Sequence, residues 1–517
     1  MTMRAQLIVD CGSRIVSALI VTADGLLLPC SQEIRQTAMR HVAAEIAFDR
    51  RVTEHADFLW DDAIEVLAKA QPHQFFQRAR RIGLRRAWDA DLAAGALHLA
   101  SPLAVLSSAV ALTDPAVEPA LYAAGAVLLD AMLDPVFAFA GEQKLVPADL
   151  DSVVIVPAQA GRLARAALQK IFRRRGFRRL TLVSREIAAA MALLDTPATE
   201  CVVWDVSDQG LHLHRVALDR EGNERRLATI ASTTLRALSW NEWVQRIATA
   251  LREASERQQL TAPTLSMVDR ALTAFLTGAP PNPSCPLHHE LLQRVLGDEW
   301  CARHGTELAT LMCDALAGVG GGAPMILIGG IGGIEAIRRL IVDAAGVEES
   351  APASDVPVLD RLVRGVAAGT LWLRGDASRR LVVRPAGSLR LNTLRGETVE
   401  ILGSGQFPAA GQTCHVRTKL AFRGATDSAS PFLVHLLWGA DQAPEGNATL
   451  CAMRLDRGQA GDGDGTLHVG VHLRRSRCGR WLNGTVDVRA GSAAAGTVHS
   501  RFTHDLPLFP SGGEVRK

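Results

Sequence analysis

The sequence predicts a two-lobed α/β region followed by an all-β domain, and three observations carry that expectation. First, one device occurs twice. Gln6-Leu-Ile-Val-Asp10 runs into Cys11-Gly12-Ser13, and Cys201-Val-Val-Trp-Asp205 runs into residues 206–210. In each case a short apolar run ends in an aspartate, a turn follows, and a second apolar run begins. Second, 517 residues exceed the roughly 250–300 at which a single core stops growing, so two to four domains are expected. Third, from about Leu381 the helical spacing of apolar residues gives way to short alternating runs separated by turn residues.

The repeated device has a chemical reading. A strand that delivers an acid to a tight turn and folds back as a hairpin brings backbone N–H groups and a carboxylate to one point, which suits a phosphate with a divalent cation. An aspartate at a strand end is, taken singly, an ordinary turn former. The recurrence far along the chain points instead to an internal duplication, with two similar lobes facing each other across a cleft.

Between and after the hairpins the pattern is mainly helical. Residues 58–69 have helical spacing, and residues 120–133 form an apolar helix expected to stop at Asp134-Pro135, because proline disfavours helix at the residue before it. Asp151-Ser-Val-Val-Ile-Val-Pro157 reads as a buried strand and residues 161–174 as a helix with one basic face. That face continues through Arg179, and a second arginine group spans residues 78–86; a solvated helix face explains both. Ser239-Trp-Asn-Glu242 is a capping box that opens a long helix. A proline-rich loop at 278–286 and helices over 288–316 follow. Pro324-Met-Ile-Leu-Ile-Gly-Gly-Ile-Gly-Gly-Ile-Glu335 reads as strand, glycine turn and helix start. It lacks the acidic residue of a dinucleotide fingerprint, and the chain contains no P-loop. Residues 358–369 form a small-residue helix.

The later region supplies the alternating runs Leu381-Val-Val-Arg, Thr398-Val-Glu-Ile-Leu, His415-Val-Arg-Thr, Phe432-Leu-Val-His-Leu-Leu, Thr466-Leu-His-Val-Gly-Val-His-Leu and Gly484-Thr-Val-Asp-Val. Asp462-Gly-Asp-Gly465 has no bidentate glutamate at calcium-loop spacing and reads as a hairpin turn.

Bulk composition excludes little. Lys plus Arg number 56 against 54 Asp plus Glu, a net charge of +2, which singles out no polyanionic partner. Nine cysteines without a C-x-x-C pair fit a reducing, cytoplasmic compartment, and Asp10 interrupts what would be an export signal. Residues 92–113 carry no formal charge, yet Pro102, His98 and Gly95 favour strand and helix pieces broken near Ala100 over a membrane span.

Taken in order, these segments resemble the DnaK-like chaperones, the seventy-kilodalton heat-shock protein family, whose ATPase domain has the actin-like fold. The first hairpin resembles that family's first phosphate loop. Val153-Val-Ile-Val-Pro157 with Arg185-Glu186-Ile-Ala-Ala-Ala190 resembles its first connecting motif, and Asp205 opens what looks like the second phosphate loop. Ile328-Gly-Gly330 is similar to the adenosine loop, and Gly365-Val-Ala-Ala368 to the second connecting helix. Beyond residue 380, Leu381 to Leu391 and Asp464-Gly-Thr-Leu-His-Val469 are similar to the linker and strands of the family's peptide-binding β-sandwich.

The resemblance implies an actin-like nucleotide-binding domain over 1–375, a linker at 376–384, a β-sandwich at 385–506 and a tail at 507–517. It implies ATP or ADP with magnesium as cofactor. Asp10, Glu186 and Asp205 would be catalytic, with Asp10 and Asp205 also holding magnesium through water. Gly12, Ser13, Arg14, Gly210, Gly329, Gly330 and Gly333 would bind nucleotide. The partners implied are an unfolded or extended polypeptide or a dedicated protein partner, with a co-chaperone, and neither nucleic acid nor membrane.

Several positions depart from the family pattern. Ser207-Asp208-Gln209 stands where three small residues follow the second aspartate, so Asp208 would set a carboxylate beside the terminal phosphate. Ala79 or Arg80 replaces the catalytic lysine, Ala237-Leu238 a double glycine, and Ile331, Gly332 and Gly333 the polar adenosine-loop positions. The linker is basic, and no helical lid is expected after the β-sandwich. Two functions are therefore expected: a DnaK-like chaperone with weak or slow ATP hydrolysis, or a pseudo-ATPase scaffold of the same fold that binds a protein partner without nucleotide cycling.

Overall fold

The computed structural model describes residues 4–12, 16–29, 46–49, 97–100, 118–207, 210–235, 240–257, 323–329, 360–375, 379–383, 387–392, 398–403, 406–408, 411–421, 432–440, 447–455, 466–477, 481–490 and 497–505, with single positions 306, 310, 338 and 342. Among them the protein is β-rich, built from mixed and antiparallel sheets with few helices.

The chain begins with β1 (Gln6–Cys11), β2 (Val16–Val21) and β3 (Leu27–Pro29), an antiparallel meander. A two-stranded ribbon, β4 (Ile46–Asp49) with β5 (Leu97–Ala100), follows. Then come α1 (Glu118–Glu142), β6 (Asp151–Val156), α2 (Arg162–Arg174) and β7 (Arg179–Ser184). Strands β6 and β7 join β1 in parallel, which gives a five-stranded sheet of order β3-β2-β1-β6-β7.

After the short helix α3 (Arg185–Ala190) the arrangement recurs. β8 (Glu200–Ser207), β9 (Gly210–Glu221) and β10 (Glu224–Leu235) form a second antiparallel meander. Helix α4 (Trp240–Arg257) follows, and β11 (Met325–Ile328) then pairs with β8 in parallel, as β6 does with β1. In both sheets the first meander strand has an antiparallel neighbour on one side and a parallel one on the other. The duplicated aspartate thus sits in the same topological position twice.

Helix α5 (Arg361–Gly375) leads into β12 (Arg380–Val383), which pairs in parallel with the start of β10 and completes the order β11-β8-β9-β10-β12. Four residues of the expected linker are therefore an edge strand. Leu381 and Val383 are buried in the same core as Leu218 and Leu227, and that burial holds the segment on the sheet.

The remaining strands are β13 (Ser388–Asn392), β14 (Thr398–Leu402), β15 (Thr413–Ala421), β16 (Phe432–Gly439), β17 (Ala448–Leu455), β18 (Thr466–Arg475), β19 (Trp481–Ala490) and β20 (Val498–Asp505). They form two antiparallel sheets, β14-β13-β16-β17 and β15-β18-β19-β20, over one core that includes Leu389, Leu436, Val471 and Val486. Strands β17 and β20 lie outside the runs marked by alternation in the sequence.

Helix α1 corrects one expectation: it continues through Pro135 to Glu142. An interior proline costs about 3 kcal/mol. Beyond it, however, Val136, Phe139 and Ala140 are buried, and the Phe137 ring meets Phe172 and Phe177 at centroid distances of 5.2 and 5.6 Å. At about 1.5–3 kcal/mol for each large apolar side chain, that packing outweighs the break. On the solvent side Arg175 pairs with Asp130 at 3.0 Å and with Asp134.

Arg173, Arg174 and Arg178 are exposed while Phe172 and Phe177 are buried, so this basic run is a solvated face. The arginine group at 78–86 and the helices expected over 58–69 and 288–316 lie outside the described residues. Of residues 92–113 only β5 is described, and it ends at Ala100. No helix among the described residues is long and apolar enough to cross a membrane.

Candidate functional site

Alternation along β1 and β8 decides where the two aspartates point. Leu7 and Val9 enter a core shared with α1 and α2, whereas Ile8 enters a second core between the two five-stranded sheets. Asp10 has the parity of Ile8. On β8, Cys201 and Val203 enter that same inter-sheet core, and Asp205 has their parity. The two carboxylates therefore converge from facing sheets.

Helices α3 and α5 fill the space between. Gly365 on α5 lets the helices touch: a Cβ there would stand 2.2 Å from the Ala188 carbonyl oxygen. Arg361 at the start of α5 donates to the Leu327 carbonyl at 2.9 Å, and Arg374 near its end donates to the Thr22 carbonyl at 2.6 Å. One helix is thus tied to both sheets, and it sets the position of α3.

The first residue of α3 is Arg185. Its Nε donates to Asp205 Oδ2 at 2.8 Å, and its Nη1 donates to Asp10 Oδ1 at 3.1 Å. All three residues are buried. One guanidinium thus joins the aspartates of both sheets.

The electrostatics follow from three charges in a dry space. Burial pushes the Asp10 carboxyl up to about 6, with Asp205 adding to the rise and Arg185 opposing it. Burial alone would weaken the Arg185 proton, but Asp10 and Asp205 outweigh it and hold the guanidinium above its ordinary value. Two carboxylates face one cation, and Asp205 Oδ1 is left without a hydrogen-bond partner. The Cys11 thiol is driven up by burial first and by Asp10 second, so it is an inert core group.

Glu186 turns away from the triad. Its Oε1 accepts from Ser184 Oγ at 2.7 Å and from Thr229 Oγ1 of β10 at 3.1 Å, while Oε2 has no partner. Gly12 is buried just after β1, and Gly210 opens β9 opposite Ser207. Gly329 follows β11 at φ 89°, a left-handed conformation that favours glycine, beside the Ile328–Asp205 pair. Ser13, Arg14, Gly330 and Gly333 lie outside the described residues, as do Asp208, Gln209, the segments around Ala79 and Ala237, and Ile331 and Gly332.

Three participants had no role assigned from sequence. Arg185 is the first; its place beside Glu186 in the motif Arg185-Glu186-Ile-Ala-Ala-Ala190 was the one signal for it. The others are Gln159, from the loop after β6, and His212, which faces Asp205 across the β8–β9 pair. Gln159 Nε2 donates to His212 Nε2 at 3.4 Å, and His212 Nδ1 donates to Thr234 Oγ1 at 2.9 Å. This buried bridge is a second polar link between the sheets. Burial, then the neighbouring His214, pulls His212 down to about 4, so the ring is neutral.

Magnesium coordinated directly by oxygens of Asp10 and Asp205 would have to compete with the Arg185 guanidinium for them. A divalent cation at those oxygens would displace the guanidinium or share the carboxylates with it, against like-charge repulsion in a low-dielectric space. No protein-family model matches the chain, and no curated protein matches it.

Proposed function

We propose that this protein is a pseudo-ATPase: a DnaK-like scaffold with the actin-like architecture that binds a protein partner without a nucleotide cycle. The carrying observation is that the Arg185 guanidinium already bridges the two aspartates on which a phosphate-bound cation would depend, pairing with an oxygen of each. A fixed internal cation occupies the place of an exchangeable one between the two carboxylates. The twice-used meander, the helix shared between its sheets and the β-sandwich that follows support the architectural part of this reading.

A second reading, the ATP-binding chaperone with slow hydrolysis, draws on the unpartnered buried oxygens Asp205 Oδ1 and Glu186 Oε2, which could each accept a hydrogen bond from ordered water. Isothermal titration with magnesium and ATP, then ADP, separates the two. The scaffold reading expects no binding heat and no thermal shift at millimolar nucleotide; saturable binding would establish the second reading instead.

A further inference from the structure

We propose that the outer face of the sheet β15-β18-β19-β20 is a docking surface for an extended acidic polypeptide segment, a proposal that rests on the partner-binding reading above. Inward residues of this sheet, among them Val469, Val471, Val486 and Val488, are buried in the sandwich core. The alternate residues point outward and are almost entirely polar. Register places Lys419, His468 and Arg489 side by side across three strands, with Arg417 two residues from Lys419 on β15. Arg474 and Arg501 stand farther along the same face. Among the described outward side chains these five Arg and Lys stand with one acid, Asp487, which accepts from His499 Nδ1. The whole chain carries a net charge of only +2, so positive charge is concentrated here.

The spacing selects the partner. Outward side chains recur at about 6.7 Å along a strand and about 4.8 Å between strands. An extended polypeptide laid along β15 carries every second side chain at the same repeat, so acids at alternate positions meet Arg417 and Lys419 in register, and arginine forks accommodate carboxylates in bidentate pairs. Asp487, in the middle of the face, interrupts a track for a phosphate backbone.

The test uses the full chain and a short fluorescent peptide of alternating Glu and Ser, followed by anisotropy. Binding is expected, weakening as salt rises, and the Arg417→Gln/Lys419→Gln/Arg489→Gln variant should lose about tenfold in affinity with its melting temperature unchanged. No binding by the native chain, or equal binding by the variant, overturns the proposal. So does tighter, variant-sensitive binding of single-stranded RNA or of anionic vesicles, which would reassign the face. An apolar extended peptide bound equally by both forms, with the acidic peptide ignored, would leave the partner-binding reading standing while this proposal fails.

Discussion

The Gly365 Cα hydrogen points at the Ala188 carbonyl so closely that a methyl in its place would stand 2.2 Å from that oxygen. Helices α3 and α5 are therefore set by a position that tolerates no side chain. Gly365→Ala should destabilise the protein by at least the 1–3 kcal/mol typical of overpacking, approximately, because the obstructing atom is backbone. It should also displace Arg185 at the head of α3. Urea unfolding measures the first effect, and unchanged stability would show that the two helices separate without cost.

Replacing Arg185 by Met strands two buried carboxylates, and breaking a buried pair in this way costs on the order of 3–5 kcal/mol. The triple variant Arg185→Met/Asp10→Asn/Asp205→Asn should recover most of that loss. Millimolar magnesium should raise the melting temperature of Arg185→Met and leave the native chain unmoved. An equal shift in both would mean that the native carboxylates are open to the ion despite the guanidinium.

The pH dependence can be assigned at His212. Its folded value of about 4 lies below the ordinary 6.5, so between these the unfolded chain binds more protons and stability falls as pH falls. At about 1.4 kcal/mol per unit, the loss approaches about 3 kcal/mol at pH 4. Asp10 acts in the opposite sense: its carboxyl is raised to about 6, so the folded state gains protons as pH drops through that value. Relative to the native chain, His212→Gln should therefore gain stability steadily from pH 6.5 to 4. Chemical denaturation at a series of pH values would reveal a constant difference if the imidazole were already solvated.

The β-sandwich rests on the first sheet's layer at the head of α2. A Cβ on Gly161 would lie 3.2 Å from the Thr449 carbonyl oxygen of β17, and the buried His504 of β20 feels the charge of Arg165 on α2. Gly161→Trp should push this contact apart. Small-angle scattering should report a larger radius of gyration and limited proteolysis faster cleavage near residue 384, whereas an unchanged scattering profile would mean that the contact does not hold the two parts together.

The two aspartates of the candidate site were legible in the residues, because the apolar runs that end in them are local. The runs ending in Asp10 and Asp205 read as strands on sight, but β1 is buried on both faces, so which core each acid enters is decided by the packing of the two sheets. Helix continuation through Pro135 was not legible, since it depends on Phe137 meeting Phe172 and Phe177, rings that the chain brings together only on folding. Strand β20 was hidden for a related reason: histidine and arginine alternate there with few apolar residues, and only its pairing with β19 and its seat on the sandwich core define it.

The sequence by itself determined the twofold device of apolar strand, aspartate and turn, the change to β structure after residue 380, and the solvated basic helix face. Each is written in neighbours a few residues apart. Only the tertiary structure decided what the two aspartates face. Long-range packing of α3 between two sheets places one guanidinium within hydrogen-bond reach of carboxylates far apart in the chain, and in a low-dielectric interior that juxtaposition governs their charge.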